Sequence, residues 1–174
     1  MTRRNLVERE DRIVIRRARF SDAAGACEVM RRSIVGLCGA DHHDDPVILD
    51  QWLASKTPEN VTAWIADVGN RVYVAVDDAN TVLAVGAVRT DGEITLNYVS
   101  PDVRFRGVSR AMLAQLEVTA RDFGHDSVRL ISTETARRFY LAAGYEQVGP
   151  PKGKFGTTSS YPMQKRFRTG RERP

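Results

Sequence analysis

Apolar side chains recur every second residue through the middle of the chain and every third or fourth residue on either side of it. Residues 72–76, 82–88 and 93–99 are apolar or alternating runs of strand length, the period of a pleated surface. They are separated by Asp77-Asp78-Ala79-Asn80 and by Asp91-Gly92, which predicts three strands in hairpin order. Residues 13–18 read as an earlier strand. Ser21-Asp22 then offers a helix N-cap before Ala26, Val29, Met30 and Ile34, which share one helical face. The polar stretch from Gly39 to Asp45 interrupts that pattern. Pro46 opens a helix carrying Ile48, Leu49, Trp52 and Leu53, and Thr57-Pro58 opens another carrying Val61, Trp64, Ile65 and Val68.

Downstream, the period changes again. Met112, Leu113, Leu116, Ala120 and Phe123 form one helical stripe, and Gly124 is placed to stop it. Residues 128–131 predict a strand. Ser132 or Thr133 caps a helix holding Ala136, Phe139, Tyr140 and Ala143, with Gly144 at its end. Residues 145–148 and 160–165 predict the closing strands, joined by a loop-like link over 149–156. Hairpins followed by strand–helix–strand–helix describe an α/β chain of mixed α+β character. They predict one domain with a central mixed, mostly antiparallel sheet and helices on both faces. The expected organisation is a basic arm over 1–12, the domain over 13–166 and a basic tail over 167–174.

The segment from Val99 to Leu113 carries the most chemistry. An apolar run (Ile94, Leu96, Tyr98, Val99) stops at Pro101, a short basic loop follows, and a helix begins. A strand that feeds a helix in this way leaves several backbone N–H groups open at the helix start. With the helix dipole, they make an anion site suited to phosphate. Arg104, Arg106 and Arg110 surround it.

The loop Arg104-Phe105-Arg106-Gly107-Val108-Ser109 resembles the Arg/Gln-x-x-Gly-x-Gly/Ala signature of the GCN5-related N-acetyltransferases (the GNAT family). Ser109 stands where the family has Gly or Ala. A second segment, Ala136 to Tyr145, resembles the family's Ala-x-x-x-Tyr helix ending in Gly-Phe or Gly-Tyr. Thr133 occupies a position where members often carry Asn. The resemblance runs over roughly residues 13 to 166, with decreasing specificity. It implies a GNAT-like fold, acetyl-coenzyme A as cofactor, an amine acceptor (small molecule or protein) and direct attack in a ternary complex. Members are often homodimers.

By the same resemblance, Tyr98, Val99, the loop residues Arg104, Phe105, Arg106, Gly107, Val108, Ser109 and Arg110, and Thr133 hold the cofactor. Val99 matches the backbone N–H that polarises the thioester, freed by a bulge that splays two parallel strands. Pro101, which has no N–H, agrees with pairing failing there. Tyr140 matches the general acid: a phenol near pKa 10 is protonated at neutral pH. Its rival role is core packing. Glu93, at the start of the strand leading to the loop, matches the base of the histone-acetylating branch. Ordered water is the alternative. Asp41-His42-His43-Asp44-Asp45 lacks metal-ligand spacing, since adjacent histidines diverge. The run reads as a loop and helix start rich in capping residues, or, by the resemblance, as part of the acceptor side, with Asp41 and His42 the candidates to line it.

Composition narrows the class without changing this picture. The chain has 174 residues, 42% hydrophobic and 28% charged, as expected of one globular domain. No apolar run approaches the ~20 residues of a membrane span, and the charged first twelve lack a signal-peptide core. Cys27 and Cys38 form no CxxC pair, which reads as a reduced, cytoplasmic setting. The net charge of +4 is concentrated in arginines at the two ends. No aromatic residues interleave with them as a nucleic-acid stacking surface requires, so the ends read as solvated tails. A coenzyme A-binding sensor without catalysis and a nucleic-acid-binding module are the competing classes.

Overall fold

The computed structural model describes residues 12–154 and 157–168. Its strands are β1 (Val14–Arg17), β2 (Asn70–Val76), β3 (Val82–Arg89), β4 (Glu93–Val99), β5 (Ser127–Thr133), β6 (Glu146–Gln147), β7 (Lys152–Lys154) and β8 (Thr157–Arg166). They form one sheet of eight strands in the order β1-β2-β3-β4-β5-β8-β6, with β7 on β8. The pairing of β4 with β5 is parallel, and the other described pairs are antiparallel. The sheet is mixed and mostly antiparallel, as the hairpin pattern predicts.

The helices are α1 (Ala23–Leu37), α2 (Gly39–His42), α3 (Pro46–Leu53), α4 (Pro58–Ala66), α5 (Val108–Asp122) and α6 (Glu134–Ala142). They cover both faces. Ala26, Met30 and Val61 from α1 and α4 pack on Val72, Val74 and Val85. On the other face, Met112 and Leu116 of α5 and Tyr140 of α6 pack with Ala84, Val88 and Met163. Burying each such large side chain stabilises the fold by about 1.5–3 kcal/mol before conformational entropy is counted.

Local chemistry sets the helix ends. Asp45 accepts from the Val47 N–H at 2.8 Å and Pro46 fills the first turn of α3. Thr57 accepts from Asn60 N–H at 3.2 Å to start α4, and Thr133 accepts from Ala136 N–H at 3.1 Å to start α6. Gly124 and Gly144, at φ +90° and +88°, close α5 and α6. Asp22 departs from the expected cap. Its buried carboxylate takes both guanidinium nitrogens of Arg16, at 2.7 and 3.0 Å, and the Arg19 N–H at 2.7 Å. A charge-assisted bidentate pair outweighs a neutral cap.

Three other expectations shift. The polar break at 39–45 contains the short helix α2, and the link at 149–156 contains β7, which satisfies its backbone against β8. Phe167 belongs to the folded unit, one residue past the expected boundary at 166. Its N–H donates to Asp126 O at 2.7 Å and the Arg121 guanidinium lies 3.9 Å from its ring centre. The expected arm lies outside the described residues apart from Arg12, as does the tail beyond Arg168. No described helix is long and apolar enough to cross a membrane.

One irregularity in the sheet positions everything that follows. Ala87 pairs with Leu96, but Val88 pairs with Ile94, so Thr95 is an extra residue in β4. A bulge of this kind interrupts the two-residue alternation. Ile94 joins the core under α5, whereas Leu96 joins the core under α1.

Candidate active site

The parallel pairing of β4 and β5 is brief. Glu93 pairs with Arg129 and Ile94 with Leu130, and beyond them the strands diverge. A cleft of about 640 Å³ opens along the divergence, walled by β4, β5, α6 and the loop before α5.

Val99 stands at the end of β4 beside this gap. Ser100 N–H donates to Leu83 O at 2.7 Å. Alternation in an antiparallel ladder therefore turns the Val99 N–H away from β3 and toward the cleft. The expected bulge is present, but at Thr95, four residues earlier. The failure of β4–β5 pairing, not a bulge at Val99 itself, leaves that N–H facing the gap. Pro101 follows and opens a 3-10 turn, Pro101–Val103, in which Val103 is buried.

The basic loop then passes through two left-handed residues, Phe105 at φ +65° and Gly107 at φ +77°. Gly107 is the N-cap of α5 and no side chain caps that helix. Its first N–H groups remain open, reinforced by the dipole of a 15-residue helix. A Cβ at Gly107 would meet nothing within 4 Å, so the space beside it is open. Arg104, Arg106 and Arg110 are exposed and, among the described residues, join no ion pair. Arg104, Phe105, Gly107, Ser109 and Arg110 line the cleft, while Arg106 lies just outside it. Val108 is also at the wall, but it is 4% exposed and chiefly anchors α5 to the core.

Tyr140 faces the cleft from α6 and is buried. Burial pushes its hydroxyl up to about 12, and the Asn97 amide works in the other direction. Asn97 Nδ2 lies 3.4 Å from the Tyr140 oxygen and donates to it. The ring is held edge-on between Phe139 and Tyr145, at 5.1 and 5.4 Å between centres. Tyr145 donates to Glu117 at 3.0 Å, and Glu117 pairs with Lys165 at 2.9 Å. Asn97 has no sequence signature, because it reaches this face only through the Thr95 bulge.

Four further candidates are placed differently from one another. Tyr98 lines the cleft from the opposite face of β4, half-buried, with the Trp52 indole N–H donating to its hydroxyl. Thr133 lines the cleft, but its hydroxyl is engaged as the α6 cap. Asp41 is not open to an acceptor. Its oxygens accept from Glu134 N–H at 2.7 Å, Thr135 N–H at 3.2 Å and the Thr135 hydroxyl at 2.6 Å. His42 is fully buried, its Nδ1 accepting from Asp44 N–H and its Nε2 donating to Ile34 O, each at 3.0 Å. The carbonyl can only accept and the amide only donate, so Nε2 is the donor nitrogen and Nδ1 the acceptor.

Glu93 is not among the residues lining the cleft, although its neighbours Ile94 and Thr95 are. It begins β4 six residues before Val99, about 20 Å away along a strand, and its carboxylate faces Arg129 at 3.8 Å. The structure does not bring it to the cleft. Among the described residues lining the cleft there is no carboxylate and no histidine. Cys38, also unforeseen, does line it, with burial pushing its thiol up to about 12.

Solved structures of the same fold include a GCN5-related N-acetyltransferase from Rhodopseudomonas palustris, 20% identical, with TM-score 0.78, covering 88% of this chain and 95% of that one. They include the PaiA N-acetyltransferase from Thermoplasma acidophilum in complex with coenzyme A, at 16% identity and TM-score 0.72, covering 90% and 99%. A GCN5-related N-acetyltransferase from Kribbella flavida is 21% identical with TM-score 0.66, covering 89% and 98%. At these identities the likeness establishes the fold. No curated protein sequence matches the chain. A family model described as an acetyltransferase (GNAT) domain matches residues 39–167, taking in the arginine loop, Tyr140 and the cleft lining apart from Ser33, Leu37 and Cys38. The chain therefore belongs to the GNAT family, whose members transfer acetyl groups from acetyl-coenzyme A.

Proposed function

We propose that this protein acetylates a primary amine directly, with acetyl-coenzyme A and the amine bound together. The observation that carries the reading is the convergence of three features on one cleft. These are the uncapped start of α5, the Val99 N–H turned into the gap, and the buried Tyr140 hydroxyl. The cradle beside Gly107 suits a diphosphate, since backbone N–H groups, a helix dipole and unpaired arginines converge there. Acetyl-coenzyme A supplies an activated acyl group as a thioester.

Each residue of this chain then has a task. The α5 start, Ser109 and Arg110 hold phosphate. The Val99 N–H is a fixed donor for a carbonyl oxygen as it gains charge, the type of preorganisation that contributes most to acyl transfer. Tyr140, held protonated by burial, gives its proton to the departing thiolate. Asn97 keeps that hydroxyl in place. Among the described residues the cleft wall carries no acidic or imidazole group, which supports ordered water as the acceptor of the amine's proton. Cys38 remains a neutral thiol at pH 7 and is a poor nucleophile, which favours direct transfer over an acyl-cysteine route.

The test is coenzyme A release from acetyl-coenzyme A across a panel of amines, with acetylated products identified by mass spectrometry. The expected result is one class of amine turned over with no acetylated protein accumulating. Tight coenzyme A binding with no amine acetylated would replace this reading with a sensor.

A further inference from the structure

Phe105 is the most exposed large hydrophobic side chain described, at 89%. It also sits at φ +65°, a region that non-glycine residues enter at a cost of roughly 1–2 kcal/mol. Neither property helps the fold. The side chain packs on no core residue, and one ring face carries only the Arg104 guanidinium, 4.5 Å from its centre. Backbone strain at a non-glycine residue points to a functional role, and the exposed ring leaves one face open to a ligand.

The location says which part of a ligand. Phe105 is two residues before Gly107, at the rim of the cradle and on the lining of the cleft. A diphosphate held at the α5 start has two substituents. One enters the cleft toward Val99 and Tyr140. The other leaves at the rim, where Phe105 stands. Coenzyme A carries adenosine at that end, and an adenine ring has a face that stacks on aromatic carbon regardless of its edge groups. Arg104 then closes the opposite face of the phenyl ring as a cation over π density.

We infer that Phe105 is the adenine platform of this protein, backed by Arg104 and presented by its left-handed backbone. The inference rests on the coenzyme A reading above and adds the nucleobase contact to it. It assigns Phe105 to the nucleotide end and not to the thioester end.

Binding measured by calorimetry tests it without any need for an acceptor. Coenzyme A and pantetheine 4′-phosphate, which lacks the adenosine, are each titrated into the parent, Phe105→Ala, Phe105→Leu and Phe105→Trp. The expected pattern is about tenfold weaker coenzyme A binding by the Ala and Leu variants, the size of a lost base–aromatic stack. Phe105→Trp retains the affinity, and pantetheine 4′-phosphate binds all four proteins alike. Phe105→Gly adds a control of opposite sign. It relieves the positive φ, so its thermal midpoint holds or rises while its coenzyme A affinity falls. Equal losses for both ligands would make Phe105 a loop-shaping residue and overturn the inference. So would full affinity in Phe105→Leu. Failure of the parent itself to bind coenzyme A would instead overturn the functional reading on which the inference depends.

Discussion

The carboxylate of Asp41 closes the start of α6 from 93 residues away, accepting the Glu134 N–H at 2.7 Å. It completes from a distant helix the cap that Thr133 begins locally, and it does so about one and a half turns before Tyr140. Removing it leaves buried donors without partners. Asp41→Ala is expected to cost about 1–3 kcal/mol of stability, read from denaturant unfolding. Turnover is expected to fall further than coenzyme A affinity, since Tyr140 is carried by α6 and the phosphate cradle by α5.

Tyr140→Phe removes one hydroxyl and little volume. Turnover is expected to drop by roughly 10²–10⁴ with coenzyme A affinity nearly unchanged, the range for loss of a general acid. An unchanged turnover number with chemistry rate-limiting would return Tyr140 to core packing.

The pH profile follows from the same burial. Tyr140 must be protonated to act, and its pKa is pushed up to about 12, so it stays competent throughout neutral and mildly alkaline pH. The acceptor must be unprotonated, and an alkyl amine has a pKa near about 10.4. Between about pH 6 and 9, kcat/KM is therefore expected to rise about tenfold per pH unit toward the amine's own pKa. No descending limb from the acid is expected below that point. A plateau beginning near pH 5 would reveal a carboxylate base.

Gly107→Val separates fold from function at the cradle. The added Cβ meets no protein atom within 4 Å, so the cost to stability is expected to come mainly from the φ of +77°, at about 1–2 kcal/mol. The side chain does occupy the cradle, and coenzyme A affinity is expected to fall at least tenfold by calorimetry. Affinity equal to that of the parent would place the phosphates elsewhere.

Gly86→Ala should do the reverse. Gly86 lies beneath α5, where a Cβ would come within 2.7 Å of Met112 Cγ and Sδ and 3.1 Å of Leu116 Cδ1. Both neighbours are fully buried, so overpacking is expected to cost about 1–3 kcal/mol in equilibrium unfolding. The cradle at Gly107 is left untouched.

What the sequence made legible was what local pattern encodes. The order strand–loop–helix around Gly107, the stripe from Met112 to Phe123 and the cap at Thr133 are all written within a few residues. The site residues that escaped depend on contacts between distant segments. The run from Asp41 to Asp45 reads as capping residues, but nothing local shows that Asp41 caps α6, because its partners lie 93 residues away. His42 belongs to the same run, yet it is sealed against Ile34. Glu93 rested on the resemblance to the histone-acetylating branch, and its carboxylate faces Arg129 instead. Asn97 was hidden for a subtler reason. Alternation counted from Ile94 assigns it to the wrong face, and no apolar pattern reveals the residue that resets the count.

That residue, Thr95, makes the site depend on the parity of β4. Deleting it would leave Ile94 and Leu96 adjacent, opposite Val88 and Ala87, the partners they already have. Both flanks of β4 would keep their faces, and the ladder would become regular. A residue inserted between Leu96 and Asn97, with no second bulge to absorb it, would instead turn Asn97 and Val99 toward α1 and Tyr98 toward α6. β4 thus has room to lose one residue at the bulge, whereas a gained residue is felt as an inversion of the site and not as a change in its length.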